Sequence, residues 1–353
     1  MDTLKRITHG AAPKPVAEVT SLSREDFNQH YFKKKPVIIR GAIKDSAYFQ
    51  KWTNEYLKST LGTRPVMVKT SSNGLYDYAN TGEYLDVELP FDNAVDLITA
   101  QHSTEASYYM QQVSIPDCFP ELMPDLYLPD LNSPLDNMAL INFWLGGEGC
   151  TTKLHYDRDQ NFLVQVRGRK ELLMYAPEDS QYLYPHHEKK VEHISQAILG
   201  DLDHEKFPLF KKAKLSRCVL NPGDALYLTP YWWHQVRSLD VSISVNYWWN
   251  RFDIDESLGL EQMNVDKISR LLYSFTSKGF DINTCDDQGE PLLIKAVQLG
   301  YDHVVEAFMM LGADPNVTSK GLYPGKSAMT IARELSQHKI VDIMEQYRAL
   351  FQP

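Results

Sequence analysis

His155-Tyr156-Asp157 sets two potential metal ligands two residues apart, and Pro230-Tyr231-Trp232-Trp233-His234 supplies a second imidazole 77 residues after Asp157. Two imidazoles and one carboxylate leave three positions of an octahedral ion open. That donor set holds Fe(II) for oxygen chemistry. The spacing has a geometric reason: residues i and i+2 of a strand face the same way, so His155 and Asp157 can grip one ion. His234 must then be delivered by the fold, on another strand. A bare HxD is common, so its neighbours carry the weight.

Lys170 lies thirteen residues after Asp157 and opens the apolar run Glu171-Leu172-Leu173-Met174-Tyr175. An inward lysine there needs an anion, because an unpaired buried charge is costly. The alternative is an outward turn residue beside Arg169. Asn161 and Asn246 interrupt apolar strands and must find hydrogen-bond partners when buried. Trp248 follows on the same strand as Asn246, where a core role is the plainer reading.

The elements that must position these groups are β-rich from about residue 138 to 250. Strands are predicted over 139–145, 152–157, 161–166, 170–176, 225–229, 233–237 and 241–248. Gly146-Gly147, Arg167-Gly168-Arg169 and Asn221-Pro222-Gly223-Asp224 supply turns between them. Short strands with Gly/Pro turns suggest a sandwich or barrel. Residues 180–216 form a polar insert holding His186, His187, His193 and His204, of a length that is functional or mobile. Upstream, residues 1–20 read as a flexible lead-in. Ser23 reads as a helix N-cap, and Val37-Ile38-Ile39 as a buried strand.

The chain changes character near residue 253. Gly279-Phe280-Asp281-Ile282-Asn283 recurs 33 residues on as Gly312-Ala313-Asp314-Pro315-Asn316, with Asp287-Gln288-Gly289 between them. A period of 33 residues with a turn and two helices is the ankyrin pattern. A further copy aligns after a three-residue insertion, Ala332 matching Ala296 and Ile340-Val341 matching Val304-Val305. The predicted organisation is a lead-in over 1–20, a β-rich domain carrying the candidate metal ligands over 21–252, and a helical linker with about two and a half repeats over 253–353.

Bulk composition bounds the function. The 353 residues are 43% apolar with a net charge of −10, which disfavours a protein that coats nucleic acid. The four cysteines lie far apart with no CxxC pair, so neither a zinc site nor a disulfide framework is expected. No segment approaches about 18 consecutive apolar residues. A soluble, cytoplasmic protein is expected, without membrane association.

The stretch GGEGCTTKLHYDRDQNFLVQVRGRKELLMYAP, with PGDALYLTPYWWHQV and SVNYWW downstream, resembles the JmjC/cupin-type 2-oxoglutarate oxygenases. It is most like their factor-inhibiting-HIF asparaginyl hydroxylase subgroup. The resemblance spans roughly residues 20–250. It implies a mainly β, double-stranded β-helix (jelly-roll) with flanking helices, here followed by a small all-α ankyrin unit. It further implies His155, Asp157 and His234 as ligands to Fe(II), and Lys170 as the anchor of the 2-oxoglutarate carboxylate. Thr152 and Tyr109 would add hydroxyls to that carboxylate, and Asn161 and Asn246 would line the cosubstrate pocket. Gln111 and Trp248 would face the substrate.

The activity implied is O2-dependent hydroxylation of a protein side chain, with 2-oxoglutarate converted to succinate and CO2. The partner would be an extended peptide or an ankyrin-type protein, with a homodimer a further expectation. A JmjC demethylase, an RNA-base hydroxylase and a non-catalytic ankyrin scaffold are the competing readings. Asn283 and Asn316, ending matched Asp-x-Asn segments, also raise self-modification.

Overall fold

The computed structural model describes residue 7 and residues 12–76, 84–100, 107–127, 140–188, 191–249, 264–276, 281–285, 290–321 and 323–350. The linker over 253–263, Gly279-Phe280 and Asp287-Gln288-Gly289 lie outside these residues. The chain divides into two compact units. One is built from residues 1–133 and 140–248, the other from 249–353 with 134–139.

The first unit holds sixteen strands among the described residues. They are β1 (Lys14–Pro15), β2 (Ala17–Val19), β3 (Val37–Ile39), β4 (Pro65–Ser71), β5 (Leu75–Tyr76), β6 (Tyr84–Pro90), β7 (Ser107–Ser114) and β8 (Leu140–Gly146). There follow β9 (Thr151–Thr152), β10 (His155–Tyr156), β11 (Gln160–Arg167), β12 (Lys170–Tyr175), β13 (Ser216–Leu220), β14 (Ala225–Leu228), β15 (Trp233–Ser238) and β16 (Ser242–Trp249). One sheet runs β2-β3-β14-β11-β16-β8-β7-β4-β6. The other runs β1-β13-β12-β15-β9-β5, with β10 also on β15. From β8 onward the chain crosses repeatedly between the sheets, β8, β11, β14 and β16 falling in the first and β9, β10, β12, β13 and β15 in the second, the jelly-roll arrangement.

Burial explains why these segments are strands. β11 and β14 are buried along almost their whole length and lie inside the nine-stranded sheet, with a strand on either side of each. The β11–β12 connection, which crosses from one sheet to the other, turns through Gly168 at φ +64°, where an added Cβ would collide with the Val241 carbonyl oxygen. Only glycine combines that backbone with that approach. This turn fixes where Lys170 enters its strand.

Two expectations are corrected. Residues 14–19, read as part of a flexible lead-in, form β1 and β2, paired in parallel with β13 and β3. Sheet-edge hydrogen bonding overrides a Pro/Ala-rich composition there. Of the two readings of the polar insert, functional or mobile, the packing speaks against the second. The insert buries Leu183, Ala197, Leu199, Phe207 and Phe210 against Tyr175 and Trp233. Its end was also placed too late, because Ser216 already belongs to β13.

The second unit packs the helices Val265–Thr276, Leu292–Gln298, Asp302–Met310, Ala328–Glu334 and His338–Leu350 around a core including Ile268, Leu272, Val304, Phe308, Ile331 and Met344. Each helix pair turns through a left-handed residue, Gly300 (φ 71°) and Ser336 (φ 56°). Each turn is closed by the same hydrogen bond, Tyr301 N–H to Ala296 O at 3.1 Å and Gln337 N–H to Ala332 O at 2.9 Å. In the two Asp-x-Asn segments, Asn283 N–H and Asn316 N–H each donate to the preceding aspartate at 2.9 Å. Among the described residues, no helix is long and apolar enough to cross a membrane.

Candidate metal centre

β10 pairs with β15 so that His155 lies opposite His234. Their rings approach to 4.3 Å between centroids. Asp157 lies just beyond the end of β10, so the alternation rule does not hold it in place. Its carbonyl accepts the Tyr231 N–H at 2.8 Å, which pins the segment leading into β15. The insert clamps the other side: Tyr156 N–H donates to His193 O at 2.9 Å and Ser195 N–H to Leu154 O at 2.8 Å.

The three side chains present ligand atoms that all lie within 4.8 Å of one another. Asp157 is 3.9 Å from His155 Nε2 and 3.6 Å from His234 Nε2. These separations exceed an ordinary hydrogen bond, so the three groups are gathered without satisfying each other. Each imidazole is oriented from behind. The Nδ1 of His155 lies 2.7 Å from Lys153 O, and that of His234 lies 2.9 Å from Trp232 O. With Nδ1–H donating to those carbonyls, each Nε2 lone pair faces Asp157, as in metal-binding histidines.

Burial pushes both histidines down to about 4, and for His155 the neighbouring His234 adds to it. Both are therefore neutral near pH 7, as ligation requires. Burial raises Asp157 while His155 and then His193 oppose the shift. A cation between the three would resolve the crowding, and the donor set fits Fe(II).

One pocket joins the triad to Lys170, Tyr109, Thr152, Asn161, Asn246 and Trp248. Lys170 is 2% exposed, and its Nζ lies 3.3 Å from the Tyr109 hydroxyl. The ammonium also sits over the Tyr109 and Trp144 rings at 5.6 and 5.9 Å. No carboxylate pairs with it among the described residues, and burial drives it down to about 7.

Tyr109 can lie so close because its strand neighbour is Gly146, where a Cβ would stand 2.9 Å from the tyrosine ring. Thr152 Oγ1 accepts the Val236 N–H at 3.0 Å and keeps its own proton to donate. Asn246 Oδ1 accepts from Trp144 Nε1 at 2.7 Å. Asn246 Nδ2, Asn161 Oδ1 and Trp248 Nε1 are buried with no partner. Such orphaned atoms in one pocket mark the outline of a polar ligand. A dicarboxylate with a keto group offers only acceptors, and it matches the ammonium at one end and the Thr152 hydroxyl, Asn246 Nδ2 and Trp248 Nε1 donors along its length.

Gln111 does not line this pocket. It is buried in β7 at an irregularity between Met110 and Val113, where Gln112 has φ 55°. Sequence reading missed Trp144, whose i+2 relation to Asn142 on β8 was the available signal. It also missed the apolar lining of Leu163, Leu228 and Val236, whose types merge with ordinary core. The insert histidines do not gather into a second metal-binding group among the described residues.

Comparison with known proteins adds to this geometry. Residues 23–255 match the family described as a cupin-like domain. The chain is 35% identical over 244 residues to lysine-specific demethylase 8 of Danio rerio, covering 67% of this chain and 59% of that protein. It is 33% identical over 232 residues to lysine-specific demethylase 8 of Xenopus tropicalis, covering 65% of this chain and 51% of that one. It is also 29% identical over 252 residues to human tRNA wybutosine-synthesizing protein 5, covering 67% of this chain and 78% of that protein. The chain thus spans little more than half the length of the demethylase-named relatives.

Proposed function

The chain belongs to the cupin-like domain family, and on that footing we propose that it is a JmjC-type Fe(II)- and 2-oxoglutarate-dependent dioxygenase that hydroxylates a protein side chain. One observation carries the reading. Three neutral-or-anionic metal-ligand side chains and a buried ammonium lacking a carboxylate open into the same pocket, among orphaned polar atoms.

His155, Asp157 and His234 would hold the iron. When bound, iron with 2-oxoglutarate supplies O2 activation coupled to oxidative decarboxylation, the hard part of the chemistry. The chain's own residues do the rest. Lys170 fixes the distal carboxylate, with the Tyr109 and Thr152 hydroxyls beside it. The backbone carbonyls of Lys153 and Trp232 hold the imidazole tautomers. Trp144, Trp248, Leu163 and Leu228 keep water from the reacting end. In this reading Asn161 and Asn246 orient the cosubstrate, and Gln111 and Trp248 belong to the substrate side.

Hydroxylation of an asparaginyl-type side chain is the outcome we favour, from the motifs. The demethylase names of two relatives support a second reading, removal of a lysine methyl group. That outcome hydroxylates an N-methyl carbon and releases it as formaldehyde, so the two share their first bond change. An RNA base fits the net charge of −10 less well. In the same proposal the helical unit is an ankyrin-type module that recruits a protein partner or a second copy of the chain.

The test is purified protein with Fe(II), 2-oxoglutarate and air. Succinate release abolished by His234→Ala supports an oxygenase. No succinate above the His234→Ala background, with or without cell extract, overturns it in favour of a scaffold. Partners captured on an Asp157→Gly form are then incubated with the unsubstituted protein, Fe(II), 2-oxoglutarate and air, where mass spectrometry locates the added oxygen and formaldehyde accumulation marks the demethylase outcome. Unmodified Asn283 and Asn316 after turnover would remove self-modification.

A further inference from the structure

β14 and β15 are joined by the turn Thr229-Pro230-Tyr231-Trp232, closed by the Trp232 N–H on Thr229 O at 3.4 Å. Pro230 takes the second place of that turn, where its fixed φ is at home. Tyr231 takes the third at φ 64°, a left-handed place that a turn of this kind ordinarily gives to glycine or asparagine. A bulky aromatic residue there is strained. Burial does not offset the strain, because Tyr231 is 41% exposed. Strain of this kind persists where the surrounding structure enforces it, and it gathers at functional sites.

Two contacts tie the strained residue to the triad. The first is the Tyr231 N–H on Asp157 O at 2.8 Å. Asp157 is the one member of the triad outside a strand, since the β10–β15 ladder ends at Tyr156 opposite Trp233. Its carboxylate nevertheless has to stay between the His155 and His234 Nε2 atoms, at 3.9 and 3.6 Å. The direction of the Tyr231 N–H depends on the left-handed backbone, so an ordinary φ there would turn the donor away. The second contact is made by the ring. Its centroid lies 5.6 Å from that of Tyr156, which in turn meets Trp233 edge-on at 4.9 Å. Tyr156 stands between His155 and Asp157 in the chain and points away from them. The aromatic row Tyr231-Tyr156-Trp233 therefore braces the ligand segment from behind.

We propose that Tyr231 is a positioning residue for the carboxylate ligand, holding Asp157 by its backbone N–H and Tyr156 by its ring. The assignment rests on reading His155, Asp157 and His234 as a metal centre. Tyr231 is absent from the lining of the metal pocket and acts through Asp157. With the carboxylate already held between the imidazoles, an arriving ion does not have to order that segment, and supports of this kind govern metal affinity. A glycine at 231 would suit the turn better and hold Asp157 worse. Affinity for the ion and stability of the fold should therefore part company at this position.

Mn(II) can stand in for Fe(II) on nitrogen and oxygen donors. The experiment titrates the metal-free chain with Mn(II), counts the free ion by electron paramagnetic resonance, and follows melting without metal in parallel. The unsubstituted chain should bind the ion, and His234→Ala should lose it. Tyr231→Gly should bind Mn(II) at least roughly tenfold more weakly. Its melting temperature should change little, because relief of the strained turn offsets the lost ring contact. Tyr231→Phe keeps both the ring and the backbone and should match the unsubstituted chain in affinity and melting. Unchanged affinity in Tyr231→Gly would overturn the assignment. So would affinity and melting temperature falling together, which would make Tyr231 an ordinary structural residue, or a Tyr231→Phe protein that binds as weakly as Tyr231→Gly. If the unsubstituted chain shows no His234-dependent binding, the metal-centre reading itself fails and the positioning role goes with it.

Discussion

One buried charge in each unit is treated in opposite ways. In the helical unit Glu290 is 5% exposed and accepts hydrogen bonds from the Ser319 hydroxyl, the Lys320 and Gly321 amides and the Gln298 side chain at 2.7–3.0 Å. Its carboxylate closes a loop, and what it needs is supplied by the chain. In the β unit Lys170 is as deeply buried but meets no carboxylate, and the nearby Asn161, Asn246 and Trp248 keep unpartnered atoms. Among the described residues the helical unit has one such orphan, Gln337 Oε1, with no ligand-sized company. A satisfied buried charge is architecture; a group of unsatisfied ones is a binding site awaiting its ligand.

Substituting each charge by an apolar residue should separate the two roles. Lys170→Met removes a buried amine that the free protein does not satisfy, so its melting temperature should hold or rise. The apparent affinity for 2-oxoglutarate should fall by at least roughly a hundredfold, about 3 kcal/mol, because the ligand's carboxylate is left buried and alone. Glu290→Leu should do the reverse. It strands several buried donors at about 1–3 kcal/mol each, loosening the helical unit in hydrogen exchange while 2-oxoglutarate binding stays unchanged. A Lys170→Met protein that melts early and still binds 2-oxoglutarate would erase the contrast.

Proton linkage sharpens it. Burial holds Lys170 at about 7 in the free protein, far below its ordinary 10.5. A bound carboxylate needs the ammonium and so raises that value. Below pH 7 the amine is already charged and affinity should be flat. Above it, binding must take up a proton, and affinity should fall by up to about tenfold per pH unit. Calorimetry at pH 8 to 9 in buffers of different ionisation enthalpy should register that uptake. Between 7 and 10.5 the unfolded chain carries more protons than the folded one, so on this group's account stability rises with pH. Affinity that does not change from pH 7 to 9 would mean that the lysine is not the anchor.

A smaller effect is expected at Gly146. An added methyl there would press on the Tyr109 ring at 2.9 Å and draw its hydroxyl from Lys170. Gly146→Ala should weaken 2-oxoglutarate binding by roughly tenfold, one hydrogen bond to a charged group. A Tyr109→Phe, Gly146→Ala double variant should lose little more than either alone. Additive losses would show that the methyl acts elsewhere.

Much of this was legible from residue types, and the gaps have physical causes. The strands bearing Asn161, Lys170, His234 and Asn246 were read within one or two residues, because apolar runs between glycine turns have few other folds. The convergence of His155, Asp157 and His234 follows the motif, but the device that holds Asp157 does not. It sits off the strand on a backbone bond from Tyr231, which no alternation rule foresees. The insert's core was missed because its polar residues outnumber the scattered leucines and phenylalanines that build it. Trp144 was missed because a sequence does not say which face of a strand finds empty space.

The smallest effect tests whether the two helix pairs are built alike. Gly300 and Ser336 occupy matching turns in the left-handed region, and only the first is a glycine. A side chain there costs about 1 kcal/mol against glycine, less the freedom that glycine gains in the unfolded chain. Ser336→Gly should therefore raise the stability of the helical unit by up to about 1 kcal/mol. Gly300→Ala should lower it by about the same amount or more. Both changes are best read as urea midpoints with hydrogen-exchange protection of residues 292–310 and 328–347. If Ser336→Gly proves destabilising, its hydroxyl is making a bond that the glycine turn lacks, and the two pairs are not equivalent.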